Sequence, residues 1–555
     1  MQAQGSSWNL GGPVISTRDA GWGNPVTNPW PIVDCVRSIM GAKKRAPGVV
    51  SEVEGNEDQG EGWQGVGAFH ITVELGEPAP GDPGEGRGRR IMEPLEGKMA
   101  GTSSPENVST KLQRVAKLSR EAPDMIWTTL AHLIDVEFLS EAYRLTRKSG
   151  AVGVDGRTAQ DYAENLEDNL ENLLALFKSG SYKAPPVRRV HIPKGDGEQT
   201  RPIGIPTFED KVLQRAVAMV LESVYEQDFL DCSFGFRPGR SAHQALEYLR
   251  NGLWNMHGGH VLEVDLRSFF DTLDHGQLRK ILDKRVRDGV IRRAIDKWLK
   301  AGVLEEGVVV RNDIGTPQGG VISPLLSNIF LNEVLDRWFE SVVRPRLRGR
   351  GLLVRYADDF VLAFSRLDDV DRVLDVLPKR MGRFGLKLHP NKTRLVNFKH
   401  PAWRGCGRND KHSGKLDSFD LLGFTHFWAK SFKTGKWIIK RKTARKRLSQ
   451  ALKGISVWCR FKRHLPLPEQ HRHLSLKLMG HYQYYGIPGN GQGLNRFYQV
   501  VRRTWFKWLN RRSDRRDLTW ERYVLILQRF PLPLPKLVHS NVKAQLARDT
   551  RSRMQ

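Results

Sequence analysis

Residues 352–364, Leu-Leu-Val-Arg-Tyr-Ala-Asp-Asp-Phe-Val-Leu-Ala-Phe, carry the strongest structural signal in the chain. Two short apolar runs flank two adjacent carboxylates, a pattern that predicts a β-hairpin with Asp358 and Asp359 at its tip. A solvated turn that carries two acidic residues is the simpler interpretation. Strongly apolar strands belong in a core, however, and two like charges held against a core are costly unless a cation neutralises them. The segment therefore favours a cation-binding turn.

A third carboxylate lies in a similar context upstream, in residues 260–266, His-Val-Leu-Glu-Val-Asp-Leu. Strand alternation puts Leu262, Val264 and Leu266 on one face and Asp265 on the other. Side chains from neighbouring strands can converge on hard divalent cations, and Mg²⁺ prefers a few carboxylates together with substrate phosphates. Two such ions would activate an attacking hydroxyl and stabilise the leaving oxygen of a phosphoryl displacement. Spacing alone does not establish this convergence.

Five segments together resemble one protein family. The tetrapeptide Tyr356-Ala357-Asp358-Asp359 resembles the active-site box of reverse transcriptases, and its surroundings resemble those of group II intron reverse transcriptase/maturases. The resemblance covers roughly residues 105 to 540, with the blocks in the family's order. The other blocks are 265–271 (the first catalytic block), 315–326 (the nucleotide-pocket block), 233–240 and 201–206.

The resemblance implies an α+β, right-hand polymerase fold, in which fingers and palm share an antiparallel palm sheet and an α-helical thumb, or maturase domain X, follows. We expect fingers and palm over residues 105–428, the thumb over 429–540 and a basic tail over 541–555. Residues 1–104 are rich in Gly and Pro and lack periodicity, which predicts a disordered extension. The zinc-dependent endonuclease module of many relatives, with its cysteine pairs, is not expected.

By the same resemblance, the chain is expected to be an RNA-directed DNA polymerase that binds its group II intron RNA, assists splicing and supports retromobility. Its partners would be the intron RNA, an RNA template with a DNA primer, and deoxynucleoside triphosphates (dNTPs). Asp265, Asp358 and Asp359 would hold two Mg²⁺ ions, with Mn²⁺ as an alternative. A splicing cofactor that no longer polymerises and a reverse transcriptase domesticated for defence remain as alternatives.

Lys194 and Arg201 are predicted on the two strands of one hairpin, because a glycine-containing turn joins the extended segment from Ala184 to Arg201. Cations at these positions can hold a triphosphate by charge and bidentate hydrogen bonds, whereas solvated surface charges are the alternative. The resemblance favours the nucleotide clamp. It also makes Phe270 the bulky residue that screens out a ribose 2′-OH, and Gln318 a nucleotide contact.

Basic residues mark two further candidate nucleic-acid contacts. Arg237 and Arg240 lie in a predicted turn and are candidates for template phosphates, and Tyr356 of the active-site box is a candidate template or primer contact. From Lys430 to Arg516, about two dozen lysines and arginines stand against two acidic residues, a density typical of nucleic-acid footprints. Aromatic residues at helical spacing there are predicted to be core. The predicted RNA contacts are Arg502, Arg503 and Arg511.

Composition limits the class of protein. At 555 residues the chain exceeds one ordinary core, and its net charge of +27 indicates a polyanionic partner. Without a long apolar run or an N-terminal signal pattern, no membrane interaction is expected. Four scattered cysteines without C-x-x-C spacing argue against a disulfide framework and a cysteine-rich zinc site. A cytoplasmic location, on the nucleoid through RNA and DNA binding, is expected.

Periodicity predicts the remaining elements of the 105–428 region. Helices are expected over 166–177, 208–231, 279–298 and 370–381, and strands over 393–398 and 419–427.

Overall fold

A computed structural model describes residues 105–194, 199–305, 308–310, 319–390, 392–403, 416–513, 515 and 517–539. The predictions for residues 1–104 and 541–555 therefore lie outside the described residues. The helices are α1 (Pro105–Glu121), α2 (Val136–Leu145), α3 (Ala159–Ala163), α4 (Leu166–Ser179), α5 (Phe208–Tyr225), α6 (Ala242–Asn255), α7 (Phe269–Thr272), α8 (His275–Leu282), α9 (Gly289–Leu299), α10 (Ser323–Leu331), α11 (Leu367–Gly382), α12 (Arg445–Phe461), α13 (Leu467–Tyr485), α14 (Gly491–Leu509) and α15 (Trp520–Arg529).

The strands form three separate sheets, so the described part of the chain mixes helix and sheet. The strands are β1 (Val187–Lys194), β2 (Gln199–Ile205), β3 (His260–Val264), β4 (Val303–Glu305), β5 (Val308–Val310), β6 (Gly351–Tyr356), β7 (Asp359–Phe364), β8 (Arg394–Asn397), β9 (Phe419–Leu421), β10 (Phe424–Lys430) and β11 (Trp437–Thr443). The sheet that bears Asp359, here called the carboxylate sheet, has the order β6-β7-β3-β8, and the sheet that bears Arg201, the arginine sheet, has the order β2-β1-β4-β5. The third sheet has the order β11-β10-β9.

The predicted hairpin of residues 352–364 is confirmed. Strands β6 and β7 pair antiparallel, and their last pair joins Tyr356 to Asp359, which leaves a two-residue turn of Ala357 and Asp358. Ala357 has a φ of 59°, in the left-handed region that two-residue hairpin turns use. Because β7 is buried along most of its length, this turn is fixed to the core at the end of a rigid hairpin.

Strand β3 lies at the centre of the carboxylate sheet, where it pairs antiparallel with both β7 and β8. The predicted core face is confirmed, because Leu262, Val264 and Leu266 are all buried. The chain beyond β3 is held in place by two backbone hydrogen bonds, from Arg267 N to Lys387 O and from His389 N to Asp265 O. Asp265 thus follows a central strand and lies in a fixed backbone setting.

The arginine sheet contains the second predicted hairpin. Strands β1 and β2 pair antiparallel with Ile192 opposite Arg201 and Lys194 opposite Gln199, so Lys194 and Arg201 do lie on its two strands. A side chain at Gly319, whose φ is +121°, would place its Cβ 2.4 Å from the carbonyl oxygen of Gly204. The chain that leads into α10 therefore touches β2 through a position that requires glycine.

The helical predictions hold for α4 and α11, and the helix expected over 208–231 is present as α5 but ends at Tyr225. The single helix expected over residues 279–298 is wrong. The chain forms α8 and α9 instead, separated by the segment 283–288. Asp288 causes the break: its Oδ1 accepts hydrogen bonds from Val290 N and Ile291 N and so caps α9. Its Oδ2 accepts from Leu130 N and Ala131 N, which ties the break to the N-terminal part of the fold.

The helical C-terminal part begins later than the expected boundary at residue 429. That position falls inside β10, and the whole of β11 pairs with β10 before α12 begins at Arg445. Beyond it the predicted helical packing is confirmed, because Trp505 of α14 is fully buried and donates from Nε1 to Gln470 Oε1 of α13 at 3.0 Å. All the described residues belong to one compact unit, Thr102–Gln555.

Candidate active site

Three carboxylates come from adjacent strands of the carboxylate sheet. Asp358 lies in the β6–β7 turn, Asp359 begins β7, and Asp265 follows β3, which pairs with β7. Burial raises the pKa of Asp358, and the negative charge of Asp265 raises it further. Desolvation also raises the pKa of Asp359, to about 6, with added contributions from the charges of Asp358 and Asp265. The structure therefore brings the three predicted carboxylates into one electrostatic environment that is short of positive charge.

Four cations act on this cluster, namely Arg201, Arg355, Lys392 and Arg447, and of these only Arg201 was predicted as a site residue. Lys392 Nζ lies 2.5 Å from Asp265 Oδ2. Lys392 and Arg447, the latter on α12, both lower the pKa of Asp359, and Arg201 lowers that of Asp358. Lys392 lies in an irregular segment and Arg447 about 90 residues beyond the hairpin in sequence, so neither carries a local signal.

The donor chemistry of the cluster fits Mg²⁺, since all the donors are carboxylate oxygens and the charged forms of Asp358 and Asp359 are destabilised where they lie. The ligands are not closed around a single point, however. Within the described ranges, no group of three His, Cys, Asp or Glu side chains has the geometry of a metal site. One carboxylate oxygen of Asp265 is already occupied by its ion pair with Lys392.

A buried polar network supports the turn. Arg355 and Asp336 are both 0% exposed and form a bidentate pair, with Nε–Oδ1 at 2.8 Å and Nη2–Oδ2 at 2.5 Å. Arg355 also donates to Asn328 Oδ1 at 2.8 Å, to Ser233 Oγ at 2.7 Å and to the carbonyl oxygen of Ala357 at 3.1 Å. The guanidinium group thus fixes the backbone between the strand and Asp358.

The segment 233–240 packs directly against the same turn. A Cβ at Gly235 would lie 2.4 Å from the backbone nitrogen of Ala357, so only glycine allows this approach. Asn328 Nδ2 donates to the carbonyl oxygen of Gly235 at 2.7 Å. The next residue, Phe236, is 48% exposed, and its ring centroid lies 6.4 Å from that of Tyr356. Two exposed or half-buried aromatic rings therefore border the carboxylates.

The residues predicted for the nucleotide pocket are described unequally. Arg201 is exposed, and its positive charge lowers the pKa of Asp358. The β1–β2 hairpin therefore lies close to the carboxylates. Lys194 ends β1, where the structure describes the backbone alone. Phe270 is half-buried in α7, and its ring lies 5.3 Å from that of Phe269. Gln318 lies outside the described residues.

Sequence reasoning missed Gln214, a buried residue of α5 that supports the loop after Gly319. Its Oε1 accepts hydrogen bonds from the backbone nitrogens of Val321, at 2.8 Å, and Ile322, at 3.5 Å. Gln214 thereby satisfies two donors where α10 begins, in the predicted nucleotide-pocket block. A single glutamine within a helical pattern carries no signal that would have revealed this role.

The predicted template contact at Arg237 is wrong. Its side chain is 2% exposed, pairs with Glu226 at 2.8 Å and donates to the carbonyl oxygens of Leu230 and Ser233. A guanidinium buried in this way stabilises the turn and has no surface on which to meet a phosphate. Arg240 is also largely buried, but it pairs at 2.5 Å with Asp231 at the surface, so its template contact stays a prediction.

The predicted RNA contacts on α14 differ in exposure. Arg503 is exposed, as are Lys507 one turn later and Arg511 just beyond the helix end, so the three form a basic stripe at a spacing of four residues. Arg502 is half-buried, with its guanidinium carbon 5.0 Å from the ring centroid of Trp520. The stripe of Arg503, Lys507 and Arg511 is the better-placed phosphate contact.

An antiparallel sheet that bears mutually interacting carboxylates, with the cation of a hairpin acting on one of them, is typical of a polymerase palm. A family model described as reverse transcriptase (RNA-dependent DNA polymerase) matches residues 192–426, a range that includes Asp265, Asp358 and Asp359.

Three relatives extend this result. The chain is 37% identical over 289 residues to protein YkfC of Escherichia coli K12, a match covering 46% of this chain and 75% of that protein. It is 36% identical over 231 residues to group II intron-encoded protein LtrA of Lactococcus lactis, covering 41% of this chain but 38% of LtrA. It is 29% identical over 179 residues to nuclear intron maturase 2, mitochondrial, of Arabidopsis thaliana, covering 25% of this chain and 24% of that protein.

The chain therefore belongs to the reverse transcriptase family, and it is similar to the group II intron reverse transcriptase/maturases. The expected palm fold is confirmed by this membership. Among the described helices, none has the length and apolar character needed to cross a membrane.

Proposed function

We propose that the protein is an RNA-directed DNA polymerase that also binds its group II intron RNA, assists its splicing and supports retromobility. The observation that carries the proposal is the placement of Asp358 and Asp359 at the turn of a rigid hairpin, where the charge of Asp265 beyond β3 raises the pKa of both. Carboxylates kept together at this cost are typical of functional sites. A cytoplasmic location on the nucleoid goes with this function.

In the proposed reaction, the 3′-hydroxyl of a DNA primer attacks the α-phosphate of a dNTP, and pyrophosphate leaves. Asp265, Asp358 and Asp359 would hold two Mg²⁺ ions, or Mn²⁺, which supply charge stabilisation to the attacking and leaving oxygens. Arg201 and Lys194 hold the triphosphate from the β1–β2 hairpin, and Gln318 adds a nucleotide contact. Phe270 screens out a ribose 2′-OH.

The template and primer would run along the aromatic border of the site. Tyr356 is the proposed contact closest to the carboxylates, with Arg240 further along the segment 233–240. Arg447 and Lys392 are further positive groups beside Asp359, and both can meet the charge of an incoming strand or nucleotide. The buried Arg237 is left out of this set.

We assign the regions as fingers and palm from residue 105 to about residue 443 and thumb, or domain X, from Arg445 to about residue 540. The later boundary is supported by the pairing of β10 with β11. Binding of intron RNA by the thumb is supported by the basic stripe Arg503, Lys507 and Arg511. The names of LtrA and of the Arabidopsis maturase place those relatives with introns, and we extend that role to this chain.

Primer extension on poly(rA) with oligo(dT) tests the polymerase. We expect extension that requires Mg²⁺ and falls by at least about a thousandfold in Asp358→Asn and Asp265→Asn, because the lost ligand charge stabilises the transition state by several kcal/mol. The matched control is Glu164→Gln, which removes an exposed carboxylate far from the three aspartates in sequence, and it should be fully active. Near-normal extension by either aspartate variant would refute the site. A wild-type protein that binds RNA but cannot extend would favour the splicing-cofactor alternative.

A further inference from the structure

The β10–β11 hairpin has one anchored face and one open face. His426 and Trp428 of β10 and Ile439 of β11 are buried, whereas Phe427 and Lys440, which pair across the strands, are partly exposed on the other face. Strand β11 is at the edge of its sheet. The open face is therefore backed by a core and is partly exposed to solvent.

The tip of this hairpin displays an unusual aromatic side chain. Phe432 is 95% exposed, although a benzyl side chain gains ~1.5–3 kcal/mol when it is fully buried. The loop beneath it is closed by hydrogen bonds from Ser431 N to Lys436 O and from Gly435 N to Ser431 O, both 2.9 Å long. The ring is thus carried at the end of an ordered loop, where binding would cost little conformational entropy.

Lysines accompany the aromatic rings of the open face. The Nζ of Lys440 lies 4.6 Å from the ring centroid of Phe432, and that of Lys442 lies 4.9 Å from the ring centroid of Phe427. Lys430 and Trp437, 5.7 Å apart at the base of the loop, pair in register with the buried face and are not part of this set. Alternating rings and ammonium groups at such distances match a nucleotide strand, which offers both a base and a phosphate at each step.

The hairpin carries positive charge alone. Residues 424–443 contain no Asp or Glu. Among the described residues, Arg441 is the one basic side chain of this hairpin with a carboxylate partner, since it is buried and pairs with Glu247 at 3.1 Å. The remaining basic side chains are Lys430, Lys433, Lys436, Lys440 and Lys442. All of these are exposed except Lys440, which is half-buried and donates from Nζ to the carbonyl oxygen of Lys430 at 3.1 Å.

We propose that this open face is a binding site for unpaired nucleotides of RNA, in which a base stacks on Phe432 and the flanking phosphates meet Lys433, Lys436 and Lys440. The inference rests on the proposed RNA-binding function and adds a site separate from the α14 stripe. An acidic protein segment would satisfy the lysines but would leave the exposed ring without a partner of matching shape. Unpaired RNA satisfies both.

The test compares Phe432→Ala and Phe432→Trp with Phe461→Ala, which removes another exposed aromatic ring, 72% exposed, beside Arg460 on α12. Binding of a 20-nucleotide oligo(rA) and of a fully paired RNA duplex of the same length is measured for each protein. Loss of one stacked base weakens binding about 5- to 150-fold. We expect this loss for Phe432→Ala on oligo(rA), with the duplex unaffected and Phe432→Trp close to wild type.

Lys433→Gln/Lys436→Gln should flatten the dependence of oligo(rA) binding on salt, because fewer counterions are released. Unchanged oligo(rA) binding by Phe432→Ala would overturn the site, as would an equal loss on the duplex or in Phe461→Ala. Primer extension on a short pre-annealed template should remain normal in Phe432→Ala. A wild-type protein without RNA binding or extension would refute the proposed function itself, whereas an active wild type with an unaffected Phe432→Ala would refute this site alone.

Discussion

Arg355 shows how one residue beside the carboxylates supports them without touching substrate. Its guanidinium donates to Asp336, Asn328, Ser233 and the Ala357 carbonyl. Placing a bulky charged group at 0% exposure is costly unless each donor finds a partner. Here the partners are Asn328 in α10, Asp336 in the helical turn that follows α10, and Ser233 in the segment before α6. We regard Arg355 as a positioning residue for the turn that carries Asp358.

Breaking this pair has a predictable signature. Arg355→Met should destabilise the fold by about 3–5 kcal/mol, because Asp336 is left buried and unpaired. The double variant Arg355→Met/Asp336→Leu should recover most of that stability in thermal unfolding. Its primer extension should stay impaired and need more Mg²⁺ for half-maximal rate, since the Ala357 carbonyl has lost its donor. A stable double variant with the wild-type rate and Mg²⁺ requirement would show that the pair serves packing alone.

Arg201 is the residue through which the β1–β2 hairpin reaches the carboxylates. Replacing it with alanine should raise the KM for dNTP about 10- to 100-fold, the value of a charge-assisted hydrogen bond, and should weaken template binding much less. Lys183→Ala removes an exposed cation just before β1 and is the matched control. An unaltered KM in Arg201→Ala, or an equal rise in the control, would make Arg201 an ordinary surface charge.

At the scale of elements, the parts that local pattern determines were predictable. The apolar runs around Asp358 and Asp359 predicted the β6–β7 hairpin, and alternation predicted the buried face of β3. Both depend on a period of two within one strand. The break between α8 and α9 was not predictable, because Asp288 makes half of its hydrogen bonds with residues 130 and 131.

The same limit applies to the site. The carboxylates were found from the sequence because each lies at the end of an apolar strand. Lys392 and Arg447 were missed because their approach to Asp265 and Asp359 depends on tertiary folding. Arg237 was misassigned because a polar turn suggests exposure, whereas the arginine folds back onto carboxylate and carbonyl oxygens of the preceding segment, residues 226–233.

Strand β10 contains a group that makes the third sheet sensitive to acid. His426 is fully buried, parallel to the Phe419 ring at 4.7 Å. Burial, reinforced by the charge of Arg441, lowers the pKa of His426 to about 3. Its neutral form is therefore favoured in the folded state, so the stability it confers is present above the unfolded pKa of about 6.5 and is lost as the pH falls from there toward 3.

His426→Phe removes this titration and keeps an aromatic ring against Phe419. Between pH 7.5 and pH 5 the free energy of unfolding of the wild type should fall by about 2 kcal/mol more than that of the variant. Urea unfolding at the two pH values measures the difference. His243 and His481 are present in both proteins, so the comparison isolates His426. Equal losses in the two proteins would contradict the buried neutral histidine.

At the scale of the whole molecule, opposite charges are concentrated in different regions. The proposed polymerase site gathers three carboxylates on one sheet, whereas exposed arginines and lysines line α14 and the β10–β11 hairpin. The chain as a whole carries a net charge of +27. Negative charge in the site suits divalent cations and positive charge elsewhere suits phosphates, which is the division of labour expected of a polymerase that also binds a folded RNA.

Parallel assays of cDNA synthesis and intron splicing on the same protein preparations test most directly whether polymerisation and intron binding use separate sites. Asp358→Asn should abolish cDNA synthesis and leave intron binding and splicing nearly unchanged. Arg503→Glu/Arg511→Glu, with the half-buried Arg502 retained to protect the fold, should weaken intron binding, flatten its salt dependence and reduce splicing far more than short-template extension. If Asp358→Asn abolished splicing as completely as cDNA synthesis while the protein stayed folded, the two activities would share one site and the account would be wrong.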